Sequence, residues 1–229
     1  MKQTNDTNLA KKVDAYIQDL FVSDAKSLDF ILEESKRNNL PEIHISPTEG
    51  KLLYFLAKLS RAEKILEIGT LGGYSAIWLA RALPEDGHLL TLEIDSSYAE
   101  IARKNIEKAG VESSVEVRAG TALDLLPEVL KNNEGPFDLI FIDADKESYP
   151  EYLEWAIKLS HSGSLILSDN LLRNGNVLEE KPKKEYYKTL AQYNNMLATD
   201  KRIESFIIPN LIPSIEHDYI DGIGITIVK

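Results

Sequence analysis

The most informative absence in this 229-residue chain is cysteine, which does not occur at all. Without cysteine there are no disulfides, no thiolate-bound zinc sites and no cysteine nucleophiles. Positive charge is also scarce, because 26 Lys and Arg residues stand against 37 Asp and Glu residues and give a formal net charge of −11. A protein that holds nucleic acid on a broad face needs clustered Lys and Arg to neutralise phosphates. The composition therefore favours a protein that acts on small molecules.

Long apolar segments are missing as well. No stretch approaches the roughly 20 apolar residues of a membrane-spanning helix, and the N-terminal MKQTNDTNLAKKVDAY has no apolar signal core or cleavage site. We therefore expect a cytoplasmic protein without membrane contact. The four histidines do not cluster in the sequence; they are His44, His88, His161 and His217. With no histidine pair and no G-x-S-x-G sequence, the chain offers neither a zinc-hydrolase site nor a serine nucleophile elbow.

From residue 64 onward, apolar strand-like segments alternate with amphipathic helical segments. The predicted strands are KILEIG, HLLTLEID, SVEVRAG, FDLIFID, GSLILSD, RIESFIIP and IGITIVK. Apolar strands separated by helices of ten or more residues indicate a mostly parallel sheet with helices on both faces. No helix separates the last two strands, so the seventh strand is predicted to be antiparallel. The sequence thus predicts one α/β domain over residues 1–229, with extra N-terminal helices in 1–45 and a core in 46–229.

Three sequence patterns, each a Ser followed three residues later by Glu, mark predicted helix starts. They are Ser46 with Glu49, Ser97 with Glu100, and Ser148 with Glu151. Pro47 supports the first of them, since proline fits the first position of a helix. Gly110 is predicted to end the second of these helices.

Open sheets of this kind bind ligands at the carboxyl ends of their strands. The first strand ends in EIGTLGGYS, whose glycines permit a tight turn, but the G-x-x-G-G spacing is not the G-x-G-x-x-G of dinucleotide folds. The second strand ends with Glu93, 24 residues after Gly69, where an acid can accept hydrogen bonds from a ribose. Asp95 is a competing candidate, and a plain turn beside a water-facing acid is the alternative. The turn and the acid together suggest a nucleoside-bearing cofactor.

The fourth and fifth strands end in FIDADK and LILSDN. Asp143, Asp169 and Asn170 therefore emerge from neighbouring strands at one edge of the sheet. Two carboxylates and an amide form an all-oxygen set, which suits Mg²⁺, Mn²⁺ or Ca²⁺ and does not suit zinc. The alternative is that Asp169 and Asn170 only form a turn or a helix cap. Lys146 lies three residues after Asp143, either as a surface lysine or as a member of the same site.

Taken together, these motifs resemble those of class I S-adenosylmethionine-dependent, metal-dependent O-methyltransferases of the caffeoyl-CoA and catechol type, whose sheet is Rossmann-like. EIGTLGGYS resembles the family's E-x-G-x-x-x-G-Y-S motif, FIDADKESY its metal-and-base motif, DNLLRNG its second metal motif and DGIGITIVK its last strand. The similarity runs from about Ser46 to Lys229, with the motifs in the expected order and at the expected separations. It departs at Arg173, where plant members tend to carry Trp.

The resemblance implies a cofactor role for each matching residue. The residues implied to bind S-adenosylmethionine are Glu67, Gly69, Thr70, Leu71, Ser75, Glu93, Ala122 and Asp143. Among them, Glu67, Gly69 and Ser75 would hold the methionine end. Glu93 would bind the ribose hydroxyls, and Ala122 would sit by the adenine.

The resemblance also implies three ligands for a divalent cation: Asp143, Asp169 and Asn170. Lys146 and Asp143 would be the catalytic residues, with Lys146 as the general base. A nearby cation and burial both depress the pKa of a lysine, which suits a base that works at neutral pH. Asp145 and Asn174 would lie near the acceptor, a small catechol-like or vicinal-diol molecule. The N-terminal helices and the 171–183 loop would shape its pocket and a homodimer contact.

Three alternatives stay open at the level of the sequence. A hydroxylated nucleoside in tRNA would be the acceptor if the basic run KPKK at 181–184 contacts phosphate, although a solvated loop also explains that run and the chain is acidic. A nicotinamide oxidoreductase on a similar sheet is disfavoured by the missing G-x-G-x-x-G. A non-catalytic dimeric binding protein is disfavoured because it would need neither a base nor metal ligands.

Overall fold

The computed structural model describes residues 7–212 and 219–229. In these ranges the strands are β1 (Lys64–Ile68), β2 (His88–Glu93), β3 (Val115–Ala119), β4 (Phe137–Ile142), β5 (Ser160–Ser168), β6 (Ile203–Ile212) and β7 (Tyr219–Val228). The helices are α1 (Thr7–Phe21), α2 (Asp29–Arg37), α3 (Pro47–Ser60), α4 (Tyr74–Ala80), α5 (Ser96–Lys108), α6 (Ala122–Lys131), α7 (Tyr149–Lys158) and α8 (Glu185–Thr199). Short 3₁₀ turns lie at Ser23–Leu28, Glu112–Ser114, Lys146–Ser148 and Arg173–Leu178.

The strands form one sheet in the order β3-β2-β1-β4-β5-β7-β6. The first five strands pair in parallel, and β7 is antiparallel to both of its neighbours. The predicted seven-stranded, mostly parallel sheet with an antiparallel last strand is therefore confirmed. The chain begins the sheet at β1, moves outward to β3, and returns to place β4 on the other side of β1. The winding direction changes between β1 and β4, and a crevice opens there at the carboxyl ends of the strands.

Helices cover both faces of the sheet, as predicted, and β4 shows how. Leu139 and Phe141 pack into the core layer built with α3, α4 and α5, whereas Ile140 and Ile142 pack into the layer built with α6, α7 and α8. Successive side chains of a strand point to opposite faces, so a continuous apolar run suits a strand that is covered on both sides. The core thereby holds the ends of the central strands in fixed positions.

The predicted capping box of α3 is confirmed. The Ser46 hydroxyl accepts from the Glu49 N–H at 3.2 Å, and the Glu49 carboxylate accepts from the Ser46 N–H at 2.8 Å. The helix predicted to open at Ser148 does begin there, since Ser148 directly precedes α7, but Ser148 and Glu151 form no capping box because the Ser148 side chain makes no capping hydrogen bond. There the 3₁₀ turn Lys146–Ser148 runs directly into α7 and takes the place of a side-chain cap.

The predicted box of Ser97 with Glu100 is also wrong. Helix α5 begins one residue earlier, and the Asp95 carboxylate caps it by accepting hydrogen bonds from the N–H groups of Ser97 at 2.8 Å and Tyr98 at 3.3 Å. Gly110 ends this helix as predicted, in a left-handed conformation with φ of +71°.

Two segments differ in regularity from what the sequence led us to expect. The region 9–45 is not helical throughout, because α2 ends at Arg37 and residues 38–46 form turns and extended chain. The polar loop 170–183 contains the short 3₁₀ turn Arg173–Leu178. His217 lies outside the described residues. In the described ranges, no helix combines the length and apolar content needed to cross a bilayer.

Candidate active site

A cavity of about 1070 Å³ lies at the carboxyl ends of the central strands. Residues 69–75, 93 and 120–123 line what we call its β1–β2 half, and residues 143–148 and 169–173 line its β4–β5 half. We count Glu67 with the first half and Tyr149 with the second, because each contacts a lining residue from behind the cavity wall. The predicted site residues that line it are Gly69, Thr70, Leu71, Ser75, Glu93, Ala122, Asp143, Asp145, Lys146, Asp169 and Asn170. Most of the predicted set is therefore brought together in one space.

The turn after β1 depends on Gly69. Its φ is +100°, and a Cβ built at this position would clash with the backbone oxygen of Asp143. The Gly69 N–H donates to the Leu92 carbonyl at 2.9 Å, and the Asp143 N–H donates to the Ile68 carbonyl at 2.9 Å. The two halves of the cavity thus touch through their backbones at Gly69, where only glycine fits without rearrangement.

Glu93 organises this turn and does not face water freely, since it is 6% exposed. One carboxylate oxygen accepts from the N–H groups of Leu71 at 2.7 Å and Thr70 at 3.2 Å. The other oxygen accepts from the Asp95 N–H at 2.9 Å. Asp95, the competing candidate, caps α5 and does not line the cavity. Of the two candidate acids, Glu93 is therefore the one that lines the cavity.

Glu67 is a fully buried acid on β1 and is not itself part of the cavity lining. Its Oε2 accepts from the Thr91 hydroxyl at 2.5 Å. Its Oε1 is buried and has no hydrogen-bond partner among the described residues. Burial raises the pKa of Glu67 to about 8, although hydrogen bonds with Ser75 and Thr91 oppose the shift. A buried oxygen without a partner is costly, so a ligand group that donates to it would be favoured.

Asp143 and Asp169 each extend a central strand by one residue. The Asp169 N–H donates to the Ile142 carbonyl at 3.0 Å, so the sheet ladder fixes its backbone as it fixes that of Asp143. Asn170 follows in a left-handed conformation with φ of +61°, and its N–H donates to Asp169 Oδ1 at 2.7 Å. Burial, followed by the charges of Asp143 and Glu49, raises the pKa of Asp169 well above its usual range.

The carboxylate and amide oxygen atoms of the β4–β5 half are hard ligands for metal ions. Within the part of the chain that the structure describes, no three His, Cys, Asp or Glu side chains form a group suited to a metal ion. The predicted set offers two carboxylates and the amide of Asn170, so a cation would complete its shell with water or acceptor oxygens. A mixed oxygen set of this kind fits Mg²⁺, Mn²⁺ or Ca²⁺.

Lys146 belongs to the site and is not a surface lysine, because it is only 8% exposed. Its Nζ donates to Asp143 Oδ1 at 2.8 Å and to the Tyr149 hydroxyl at 2.6 Å. That hydroxyl in turn lies within donating distance of the carbonyls of Asp169, at 3.0 Å, and Ile142, at 3.2 Å. Since its proton points to backbone carbonyls, the phenol oxygen presents a lone pair to Lys146. One buried hydroxyl thus joins the ends of β4 and β5 to the lysine.

Of the two residues predicted near the acceptor, one lines the cavity and the other does not. Asp145 lines the cavity and accepts from the Tyr152 hydroxyl at 2.5 Å. Asn174 does not line the cavity, and its Oδ1 accepts from the Ile220 N–H at 3.4 Å. Arg173, where the family resemblance departs, does line the cavity, with its guanidinium over an aromatic ring of α8. The position of Asp145 suits an acceptor contact better than that of Asn174.

Three side chains of the site were not found from the sequence: Tyr149, Tyr152 and Glu49. The two tyrosines hold Lys146 and Asp145, and Glu49, identified only as a capping residue, also lines the cavity. A signal for the tyrosines exists, since both phenols follow the acidic motif within the first turn of α7, where neighbouring side chains meet.

Comparison with known proteins agrees with this geometry. The family model described as O-methyltransferase matches residues 18–211. Catechol O-methyltransferase of Niastella koreensis is 42% identical over 219 residues, covering 96% of this chain and 97% of that protein. Caffeoyl-CoA O-methyltransferase 1 of Zea mays is 40% identical over 172 residues, covering 72% of this chain and 67% of that protein.

Among solved structures, an O-methyltransferase from Bacillus cereus in complex with SAH superimposes with a TM-score of 0.92. It is 38% identical in sequence, and the match covers 97% of this chain and 100% of that chain. The similarity therefore extends over the whole sheet and both halves of the cavity, and is not confined to a shared motif. The chain belongs to the O-methyltransferase family, in the group that includes the catechol and caffeoyl-CoA enzymes.

Proposed function

We propose that the protein transfers a methyl group from S-adenosylmethionine to a hydroxyl group of a small catechol-like or vicinal-diol acceptor. The observation that carries this proposal is that one cavity joins the turn at Gly69 and the acid Glu93 to the buried pair of Lys146 and Asp143. The names of the relatives, and the SAH held by one solved relative, support the same chemistry. Membership of a methyltransferase family also argues against the nicotinamide oxidoreductase.

In this proposal the β1–β2 half binds S-adenosylmethionine. The residues around the first turn that would hold its methionine end are Glu67, Gly69, Thr70, Leu71 and Ser75. The unpartnered Oε1 of Glu67 would accept a hydrogen bond from the ammonium group of the cofactor. Glu93 would accept hydrogen bonds from the ribose hydroxyls, and Ala122 would border the adenine at the start of α6.

The β4–β5 half would hold a divalent cation through Asp143, Asp169 and Asn170, with Mg²⁺ as the first candidate and Mn²⁺ or Ca²⁺ as the others. When bound, such a cation lowers the pKa of an acceptor hydroxyl by direct charge stabilisation. The all-oxygen chemistry of the donor set supports this assignment. So does the burial of Asp169, which is 6% exposed, because a buried carboxylate is costly without positive charge nearby.

Lys146 is the proposed general base. A neutral amine has two N–H bonds and one lone pair, and here Asp143 and the Tyr149 hydroxyl take up both N–H bonds. The lone pair is then left to accept the proton of an acceptor hydroxyl. In the reaction the acceptor oxygen bonds to the methyl carbon, the bond from sulfur to that carbon breaks, and the sulfur keeps the electron pair. Holding oxygen and methyl group in line is the main contribution of the cavity walls.

A methyl-transfer screen tests this function directly. Catechols, hydroxycinnamoyl thioesters, flavonoids and undermodified tRNA are each incubated with labelled S-adenosylmethionine, with and without EDTA. We expect methylation of a small catechol-type acceptor that is lost in EDTA, restored by Mg²⁺, and abolished by Asp169→Ala. Full activity of the metal-free enzyme would contradict the proposal that methyl transfer requires a divalent cation.

The screen also decides between the acceptor classes. If only tRNA is methylated, the hydroxylated nucleoside is the acceptor, and charge reversal at Lys183 and Lys184 should then weaken the reaction. Activity on small phenols that is insensitive to both reversals supports the catechol-type acceptor. The cytoplasmic location and the division of the chain at residue 45 stay predictions.

We further propose that the protein is a homodimer that pairs through its N-terminal region. Helix α1 exposes Val13, Tyr16 and Leu20 on one face, and the adjoining α3 exposes Phe55 and Leu59. Exposed apolar side chains that are grouped on adjoining helices are typical of protein–protein contacts. Light scattering after gel filtration should give the dimer mass for the wild type and the monomer mass for a Tyr16→Glu, Leu59→Glu double variant. A monomeric wild type at micromolar concentration would rule the dimer out.

A further inference from the structure

Asp221 of β7 holds the loop that follows Asp169. Strand β7 lies beside β5, so its residues reach the chain that leaves the end of β5. Asp221 Oδ1 accepts hydrogen bonds from the N–H groups of Leu172 at 3.0 Å, Arg173 at 3.1 Å and Gly222 at 2.9 Å. The residue is fully buried. Charged acceptors form stronger hydrogen bonds with N–H groups than neutral acceptors do, so this carboxylate is a firm anchor for the loop.

The loop needs such an anchor because its backbone is unfavourable. Arg173 has a φ of +44°, which a residue with a long side chain rarely adopts, and Asn170 and Asn174 have φ values of +61° and +55°, which asparagine tolerates better than most residues. Conformations of this kind persist only where the surrounding structure over-determines them. The Leu171 N–H adds a second tie to β7, since it donates to the Gly222 carbonyl at 3.0 Å.

The second oxygen of Asp221 acts on a side chain of the cavity. Among the described residues, Oδ2 has no hydrogen-bond partner, and the Arg173 guanidinium lies 3.7 Å from it. A buried carboxylate attracts a cation strongly, so Asp221 draws the Arg173 side chain towards β7. Arg173 lines the cavity, and Asp221 does not. Asp221 therefore holds the path of the loop through hydrogen bonds and forms an ion pair with a side chain of the cavity wall.

We infer that Asp221 is a positioning residue for the divalent-cation site. By holding the N–H groups of residues 172 and 173 it keeps Asn170 in its left-handed conformation, and so keeps Asn170 in the cavity wall together with Asp169. This inference rests on the proposed cation site, but it assigns Asp221 no contact with acceptor, cofactor or cation. Residues that orient metal ligands in this way commonly change metal affinity when they are replaced.

The test reads cation binding directly, without turnover. Free Mn²⁺ is measured by electron paramagnetic resonance during titration of the whole protein. Asp221→Ala is expected to weaken Mn²⁺ binding about 100-fold, and Asp221→Asn, which keeps one accepting oxygen, about 10-fold. The affinity for S-adenosylmethionine, measured by calorimetry, should change little in either variant because Leu172, Arg173 and Gly222, which Asp221 contacts, are not residues of the β1–β2 half.

Asp138 provides a matched control. It also accepts two backbone hydrogen bonds, from the N–H groups of Glu63 and Lys64 at 2.8 Å each, but at the opposite edge of the sheet. Asp138→Ala should therefore lower the melting temperature and leave Mn²⁺ affinity unchanged. An equal loss of Mn²⁺ affinity in Asp138→Ala would show a general effect of destabilisation and overturn the inference.

The remaining outcomes separate this inference from the proposed function. Wild-type Mn²⁺ affinity in Asp221→Ala overturns the inference and leaves the cation site standing. No Mn²⁺ binding by the wild type overturns the cation site itself, and the inference with it. If Asp221→Ala fails to fold, Asp221→Asn decides, because a 10-fold loss supports the positioning role and an unchanged affinity excludes it.

Discussion

The two halves of the cavity are built by different means. The β1–β2 half consists mainly of backbone, in the turn 69–71 that Glu93 holds through N–H groups. The β4–β5 half consists of side chains, in which Asp143, Lys146 and Tyr149 are linked in series. A backbone turn is set by a short local motif, whereas a chain of side-chain contacts requires several elements to be packed correctly. A substitution in the turn should therefore disturb the whole β1–β2 half. A substitution in the β4–β5 half should remove one side-chain contact and leave the others in place.

The largest effect is expected where the halves meet. Gly69→Ala combines a φ of +100° with a clash against the Asp143 backbone, so the free energy of unfolding should fall by about 3 kcal/mol or more. Gly163 is the matched control, with a φ of +92° and no atom within 4 Å of a built Cβ. Gly163→Ala should lose only about 1–2 kcal/mol in urea denaturation. Equal losses in the two variants would mean that the contact between the halves contributes nothing.

Glu67 tests the β1–β2 half alone, through pH. Its pKa rises from 4.5 to about 8 in the folded protein, so between these values the folded state binds a proton that the unfolded state has released. In the ligand-free protein, the contribution of Glu67 to the free energy of unfolding should be most favourable below pH 4.5. It should fall as the pH rises to about 8, by up to about 1.4 kcal/mol per pH unit. Glu67→Gln should remove this slope. The free energy of unfolding is measured by denaturation at several pH values in that range. The same pH dependence in wild type and Glu67→Gln would contradict the cost of ionising the buried Glu67.

Tyr149→Phe tests the β4–β5 half alone. Removing the hydroxyl takes one of two partners from Lys146, and we expect kcat to fall about 10- to 100-fold with the affinity for S-adenosylmethionine unchanged. Tyr193→Phe is the control, because its equally buried hydroxyl contacts Ser168 at 2.5 Å and does not contact Lys146. A similar loss of kcat in both variants would assign the Tyr149 effect to packing.

The smallest effect on stability is expected at the edge of the sheet opposite the cavity. His161 Nε2 lies 2.9 Å from Asp138 Oδ1, and this contact raises the pKa of His161. Burial would raise the pKa of Asp138, but the hydrogen bonds from His161 and from the Lys64 and Glu63 N–H groups outweigh it and lower that pKa.

The raised pKa of His161 stabilises the fold below about pH 6.5 and is lost as the pH rises, and the lowered pKa of Asp138 stabilises it above about pH 3.8. Their pairing should therefore contribute most between these values. His161→Ala should cost less than about 1 kcal/mol at pH 5.5, because the pair is partly exposed, and less still at pH 8.5. Thermal melts at the two pH values check this, and methyl transfer should not change.

The fold was largely predictable because its signals are repeated. Each of five strand segments is followed by a helical segment, and misplacing one boundary does not alter the parallel sheet. The capping predictions failed where local signals compete. Asp95 and Ser97 are both good caps, and the sequence cannot show that the Asp95 carboxylate reaches the first free N–H groups of α5.

The site was predictable only where the sheet collects residues at one edge. Asp143 and Asp169 follow neighbouring strands, so topology alone brings them together. Asp221 lies 52 residues after Asp169, and its role depends on the pairing of β7 with β5, which no local pattern encodes. Asn174 was expected near the acceptor, but the left-handed turn at Arg173 and Asn174 directs its side chain to the backbone of β7.

The capping box of α3 has a consequence for mutational scans. One carboxylate oxygen of Glu49 starts the helix by accepting from the Ser46 N–H, while the other accepts from the Asn210 side chain of β6 at 2.7 Å. The same residue lines the cavity, so it adds negative charge to the space where an acceptor would bind. In a mutational scan scored only by cell growth or protein abundance, the effect of replacing Glu49 would be attributed to its role as a helix cap. Pairing abundance with acceptor selectivity would separate its two contributions, because Glu49→Gln keeps most of the cap and removes the charge.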